Sequence, residues 1–252
     1  GPGATNLITG IADAQIDSTP LVCITGQVAS PLLGTDAFQE TDIIGISAPV
    51  VKWSYQVTKA SEISEAIAKA FYIANSGRPG PVVIDITKNA QVEEVDYEYK
   101  PCKFVRSYNP IIDIVAEQIK NAAQTINGAK RPMLLLGHGV LLGNAQKQVL
   151  ELAEKAKIPV ASTWLGASAF PEKHELFYGM VGMHGNYAPN LQTNSCDVLI
   201  AIGMRFDDRV TGTLDTYAKQ AKVVHFELDY AEISKNIYAH YPVHGDCAES
   251  LD

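Results

Sequence analysis

In the run CDVLIAIGMRFDDRVTG, residues 196–212, Asp197 opens the apolar stretch Val198 to Ile202, and Gly203 ends it. An uninterrupted apolar run of this length, closed by glycine, is the pattern of a strand buried on both faces, and such strands belong to parallel sheets covered by helices. Arg205, Asp207, Asp208 and Arg209 follow the strand at once. Ligands of open α/β sheets sit outside the carboxyl ends of the strands, so these charges stand where binding chemistry is expected. The alternative is a solvated loop whose aspartates cap the next helix.

The same rhythm continues on both sides of this run. Upstream, 132–136 and 158–162 read as buried strands, with helices over 111–126 and 144–156; downstream, 223–228 reads as a fourth strand. Alternating strands and helices predict a doubly wound parallel sheet, Rossmann-like, over 110–252. After its first strand come Gly137, His138, Gly139 and then Gly143, the strand-to-helix position at which a dinucleotide phosphate approaches the backbone. An NAD fingerprint places an acid about 20 residues further on, at the end of the second strand. That strand ends instead in Ser162, Thr163 and Trp164, which argues against ordinary NAD binding. Acids come after the fourth strand, at Glu227, Asp229 and Glu232, where they suit ribose or adenine hydrogen bonds, or, for Asp229, a helix cap. Gly182-Met183-His184-Gly185 forms a loop before a helix; an exposed histidine beside a core methionine is its plain explanation.

Residues 92–109 lose periodicity, mix acids with tyrosines, and read as a linker. Before it, 1–91 carries a first α/β unit. Gly1-Pro2-Gly3 turns into a helix over 4–16, and strands follow at 21–25 and 82–86 with an amphipathic helix over 61–74 between them. Lys52, Trp53 and Tyr55 lie in a short extended segment. Residues 31–42 read as a surface loop leading into a short helix begun by Asp36, with Phe38 as a staple into the core, or else as a loop at the mouth of a site.

With 252 residues, 46% hydrophobic and 19% charged, the chain has material for one large domain or two ordinary ones. The net charge of −8, with scattered Lys and Arg, lacks a phosphate-backbone footprint, so no nucleic-acid partner is expected. No apolar run approaches the roughly 20 residues of a membrane helix, and a cytoplasmic location without membrane attachment is expected. The four cysteines are too dispersed for a disulfide framework. His240, His244 and Cys247 mimic part of a zinc spacing, but Pro242 intervenes and a fourth ligand is missing, so no metal site is expected.

GPGATNLITGIADA at 1–14, TGQV at 25–28, GTDAFQETD at 34–42, GRPGPVVIDI at 77–86, GMHG at 182–185 and RFDDRVTG at 205–212 occur in one collinear order. In that combination the chain resembles the large, catalytic subunits of the acetohydroxyacid (acetolactate) synthase family across essentially its whole length. The resemblance implies a thiamine-diphosphate enzyme that decarboxylates pyruvate and joins the two-carbon product to a second 2-oxo acid, pyruvate or 2-oxobutyrate, in branched-chain amino-acid biosynthesis. It further implies a magnesium ion with the thiamine diphosphate, a homodimer or higher homo-oligomer, and a small regulatory subunit. Residues 1–91 then correspond to the later part of the pyrimidine-binding domain, and 110–252 to the central domain, which in the biosynthetic enzymes holds a largely structural FAD.

Carried over by matching positions, Gln27, Phe38, Gln39 and Lys52 fall in the substrate channel, joined by Met183, Asp208 and Arg209. FAD contacts are implied at Arg78, at Gly137, His138 and Gly139, at Thr163, Trp164 and Leu165, and at Gly182, Met183 and His184. They are implied also at Gly203, Arg205, Asp207, Asp208 and Arg209, at Glu227 and Leu228, and at Asp246 and Cys247. The arginines suit a pyrophosphate and the acids suit hydroxyls. The family's activating glutamate falls upstream of GPGATN and its diphosphate- and metal-binding domain downstream of Asp252, so this piece alone is expected to be inactive, with an unpaired sheet edge that favours association. The competing expectations are a FAD-independent thiamine-diphosphate carboligase or decarboxylase, such as a catabolic acetolactate synthase, and a non-catalytic nucleotide-binding module.

Overall fold

A computed structural model describes residues 1–252. Contacts divide the chain into two compact units, Gly1–Ile111 and Ile112–Asp252. Val105 and Tyr108, in the segment with no periodicity, pack against the hydrophobic cluster of the first unit.

The first unit begins with two short helices, α1 (Pro2–Thr5) and α2 (Ile8–Ile16), where one helix over 4–16 is expected. Strand β1 (Leu21–Gln27) is followed by α3 (Ile43–Ser47), β2 (Trp53–Val57), α4 (Ile63–Asn75) and β3 (Pro81–Thr87). The three strands are parallel in the order β1-β3-β2. Every residue of the central strand β3 is buried, as its unbroken apolar run requires. Alternate residues of a strand face opposite sides, and Val82, Ile84 and Ile86 meet Ala66, Ala70, Ile73 and Ala74 of α4 in one cluster.

Two expectations for 31–42 fail. Asp36 starts no helix; its φ is +56°, and the helix begins instead after Asp42, whose carboxylate accepts from Gly45 N at 2.9 Å. Phe38 is no staple, because its ring is 89% exposed. The loop is closed locally by Glu40, which accepts from Gly34 N at 2.5 Å and from Ala37 N at 3.1 Å. Those backbone donors also hold the Glu40 carboxyl below its ordinary pKa.

The second unit runs α5 (Ala116–Asn127), β4 (Pro132–Leu136), α6 (Gly139–Leu142), α7 (Gln146–Ala156), β5 (Val160–Ser162) and β6 (Phe177–Met180). It continues with α8 (Tyr187–Thr193), β7 (Val198–Ile202), α9 (Asp208–Thr211), β8 (Lys222–Glu227), β9 (Tyr241–His244) and α10 (Cys247–Leu251). Helix α5 starts at Ala116, later than the expected 111. All six strands are parallel, in the order β6-β5-β4-β7-β8-β9. The sheet is clothed on both faces. Leu134, Leu136, Ile200, Ile202, Val224 and Phe226 pack with Val140, Val149 and Ala153, while Met133, Leu135, Leu199, Ala201 and Val223 pack with Phe206 and Tyr217.

Numbered from β4, this order is the one of dinucleotide-binding folds: the chain steps outward one way through β5 and β6, then returns to β7 and steps the other way. The reversal lies between β4 and β7. Their carboxyl ends carry Gly137 to Gly139 and Gly203 to Arg209.

Candidate functional site

In the first unit one of the expected site residues, Gln27, is held by a carboxylate that the sequence pattern did not single out. Asp85, fully buried in the middle of β3, accepts from Thr25 Oγ1 at 2.7 Å, Gln27 Nε2 at 3.1 Å and Gln56 Nε2 at 3.2 Å. The β1 and β2 registers place Thr25 and Gln56 directly opposite it. A lone acid inside VVIDIT was the available signal, since a buried charge persists only when its lone pairs are taken up.

Gln27 is held at both ends of its carboxamide. Its Nε2 also donates to the Thr41 carbonyl at 2.8 Å, and its Oε1 accepts from Val28 N at 2.9 Å. Gln27 therefore ties the start of the 28–41 loop to its end. Phe38 and Gln39 project from that loop into solvent, with Gln39 at φ +64°.

Lys52 is committed to structure rather than left reaching outward. Its Nζ donates to the Ile73 carbonyl at 2.5 Å, the Ser76 carbonyl at 2.6 Å and Tyr108 Oη at 3.0 Å, and Tyr108 itself donates to Ser76 O at 2.6 Å. These carbonyls belong to the end of α4, where a cation satisfies unpaired acceptors and complements the helix dipole. Burial pushes the ammonium down to about 8, so it remains largely charged at neutral pH. Arg78 likewise serves the end of α2, donating from Nε to Ser18 Oγ at 2.9 Å.

In the second unit, the implied residues other than those of the Gly182–His184 turn lie at the carboxyl ends of β4, β5, β7, β8 and β9, and the turn itself is joined to the loop after β7. The glycines after β4 pack against the loop after β7. A Cβ on Gly137 would lie 2.2 Å from Gly203 O, and one on Gly203 would lie 2.6 Å from Gly139 Cα. Gly139 N is spent on Gly203 O at 2.9 Å. The glycines thus let the β4 and β7 loops lie against each other, and Gly203, at φ +59°, turns the second of them.

Around that junction the polar groups are fixed by short-range bonds. Asp207 caps α9 through Arg209 N at 3.0 Å, Asp246 caps α10 through Ala248 N at 2.8 Å, and the largely buried Glu227 accepts from Asp229 N at 3.0 Å. Asp229 caps the following 3-10 turn, as expected, by accepting from Ala231 N. Asp208 and Arg209 pair at 2.9 Å, both well exposed. The Gly182 turn is clamped by Asn190, and Met183 N donates to Arg209 O at 2.8 Å, which sets Met183 beside the arginine. His138 is partly exposed and His184 exposed, while Leu228 is partly buried. Trp164 is 76% exposed, Met183 61% and Leu165 40%, and Arg209 Nη1 lies 3.9 Å from Met183 Sδ. Cys247 is buried, and desolvation pushes its thiol up to about 12, so it stays protonated and inert. The edge offers cations for phosphates, carboxylates for hydroxyls and an apolar surface for a planar ring.

His240 and His244 do not form a metal pair. His240 Nδ1 accepts from Val223 N at 3.1 Å and His244 Nε2 bonds the Leu228 carbonyl at 3.0 Å.

Comparison with known proteins agrees with this architecture. The model of the thiamine pyrophosphate enzyme central domain matches residues 119–252, and that of the N-terminal TPP binding domain of the same enzymes matches residues 1–46. The chain belongs to the thiamine pyrophosphate enzymes. The acetolactate synthase large subunit of Corynebacterium glutamicum is 49% identical over 251 residues, which is 100% of this chain and 40% of that protein. That of Haemophilus influenzae is 44% identical over 254 residues, 100% of this chain and 44% of that protein. A solved structure from Mycobacterium smegmatis, assigned as a thiamin diphosphate-dependent enzyme, superimposes with a TM-score of 0.81 at 25% identity, covering all of this chain and 48% of that one. The chain therefore spans less than half the length of these thiamine pyrophosphate enzyme relatives, and no helix in it is long and apolar enough to cross a membrane.

Proposed function

We propose that the protein to which this chain belongs is a thiamine-diphosphate-dependent acetolactate synthase, decarboxylating pyruvate and joining its two-carbon remainder to pyruvate or 2-oxobutyrate. The reading is carried by identity of 44–49% to acetolactate synthase large subunits along the entire chain. A homo-oligomer with magnesium and a small regulatory subunit belongs to the same proposal, and no metal ligand is assigned within the chain. When bound, thiamine diphosphate supplies the electron sink for loss of carbon dioxide. This chain contributes position and exclusion of water. Gln27, locked by Asp85, fixes the loop from which Phe38 and Gln39 project, an apolar ring and an amide suited to a small 2-oxo acid. Lys52 holds the end of α4, a supporting role in the channel.

FAD is proposed for the carboxyl edge of the six-stranded sheet. The donor set there fits it: Arg205 and Arg209 for the pyrophosphate, Glu227 and Asp246 for hydroxyls, and Trp164, Leu165 and Met183 against the ring system. Flavin at this site packs and braces; the proposed net reaction transfers no electrons through it.

The chain has two tryptophans, Trp53, stacked on Tyr55 in the first unit, and Trp164 at the proposed edge. FAD titrated into the folded chain is expected to quench tryptophan emission saturably and raise the melting temperature. The quench should be lost in Arg205→Ala and largely removed in Trp164→Phe. A folded chain that shows neither effect would overturn the flavin assignment and favour a FAD-independent relative.

A further inference from the structure

Arg205 lies between two residues whose side chains point into the core: Met204 is 3% exposed and Phe206 1%. The loop reverses its backbone twice around them, at Gly203 with φ +59° and at Phe206 with φ +54°. A left-handed phenylalanine is not chosen by local preference and has to be held by its surroundings. Its ring meets the Tyr217 ring edge-on at 6.2 Å and the His225 ring edge-on at 5.1 Å.

The carbonyls on either side of Arg205 are both taken by side chains from elsewhere in the fold. His225, fully buried on β8, places Nε2 2.8 Å from Met204 O. Asn236, beyond β8, donates Nδ2 to Phe206 O at 3.0 Å. A carbonyl only accepts, so His225 carries its hydrogen on Nε2; its Nδ1 is buried without a partner, which fits a neutral ring. Glu227 Oε2, 3.9 Å from Nε2, is beyond hydrogen-bond reach. The β7–β8 ladder is complete without these two bonds, which serve only the loop.

We propose that His225, which pins the peptide unit before Arg205, and Asn236, which pins the one after Phe206, are positioning residues that together hold this loop and so aim the Arg205 guanidinium at the pyrophosphate of a bound dinucleotide. The proposal rests on the flavin reading of this edge, and deepens it by naming residues that touch no ligand yet set its affinity.

The test is a double-mutant cycle on the 252-residue chain, read by FAD titration. Asn236→Ala should weaken FAD binding by roughly tenfold, the range of coupled neighbours. In an Arg205→Ala background the same change should cost nothing further, because its effect passes through the arginine. His225→Gln, which keeps an N–H to offer, should retain affinity that His225→Leu loses. Additive losses, or unchanged affinity in Asn236→Ala, overturn the proposal; a merely structural role gives additivity. A second readout needs no flavin. Phenylglyoxal labelling followed by mass spectrometry should show a changed rate at Arg205 in folded Asn236→Ala, with exposed Arg106 as the internal control. If the folded wild-type chain does not bind FAD, the flavin reading falls, and the labelling rate alone decides whether Arg205 is pinned: an unchanged rate rejects it.

Discussion

At Gly203 a missing methyl group decides whether two loops can meet. Alanine there would have to adopt φ +59° and place its Cβ 2.6 Å from Gly139 Cα and 2.8 Å from Gly139 C, both backbone atoms with nowhere to go. Gly203→Ala is expected to cost more than about 2 kcal/mol, from strain and displaced backbone together. Gly34, with φ +76° but nothing within 4 Å of a Cβ, is the control for conformation alone, and Gly34→Ala should cost about 1 kcal/mol. Urea unfolding of both variants separates the two terms; equal midpoints would refute the packing role. His225 gives this scale a pH dependence. Burial, opposed by the Met204 carbonyl and Glu232, lowers its pKa from the ordinary 6.5, so the unfolded chain binds the proton first as pH falls. Its contribution to stability is therefore intact above about pH 6.5, is lost as pH drops below that, and levels off at the lower folded value. Melting temperatures from pH 7.5 to 5.5 should fall more steeply in the wild type than in His225→Gln. Matching slopes would assign the acid sensitivity elsewhere.

Elements were legible where burial and composition agreed and obscure where geometry overrode composition. The runs at 132–136, 198–202 and 82–86 announce strands because both faces are buried, and the structure has strands there. Strand β6, FYGM, has no such run, and only its pairing beside β5 makes it extended. Strand β9 contains Pro242, which is tolerated because β9 lies at the sheet edge. Charged loops named the cationic and acidic residues of the second unit, whereas His225 and Asn236, which bond the Met204 and Phe206 carbonyls on either side of Arg205, carry no local signature. Asp85 shows the same asymmetry within β3. Replacing it by leucine would leave the Thr25 hydroxyl and one of the two N–H groups of Gln27 Nε2 unpaired, the other still donating to the Thr41 carbonyl, each loss costing about 1–3 kcal/mol. Asp85→Leu should destabilise the first unit by roughly 3 kcal/mol or more, with Asp85→Asn milder. Because Gln27 then loses one of its anchors, amide exchange across 28–41 should accelerate in Asp85→Leu beyond the change in global stability. Exchange that merely tracks global unfolding would separate Asp85 from the Phe38 loop.

At the scale of the whole chain, the two sheets differ in how they finish their edges. The six-stranded sheet ends in β6, only four residues long, and in β9, with its proline and a bond from His244 N to Gln118 Oε1 at 3.1 Å. Short strands and prolines are the devices that blunt an edge. The three-stranded sheet has no such device on β1, which runs seven residues with Ile24 55% and Leu21 37% exposed. Beside it, Pro20, Val22, Phe71, Ala74 and Asn75 line a hollow of about 380 Å³, and Phe71 is 56% exposed. An unpaired strand flanked by exposed apolar side chains is a template for another chain, so self-association of this 252-residue polypeptide should be driven by the first unit. Sedimentation velocity over a concentration series is expected to show association that weakens in Ile24→Lys, where a charge lands on the open edge, and persists in Tyr178→Lys, on the blunted edge of β6. Tyr178 is itself 45% exposed, so burial does not confound the comparison. Equal weakening by both substitutions would mean that general hydrophobicity, and not the open β1 edge, brings the chains together.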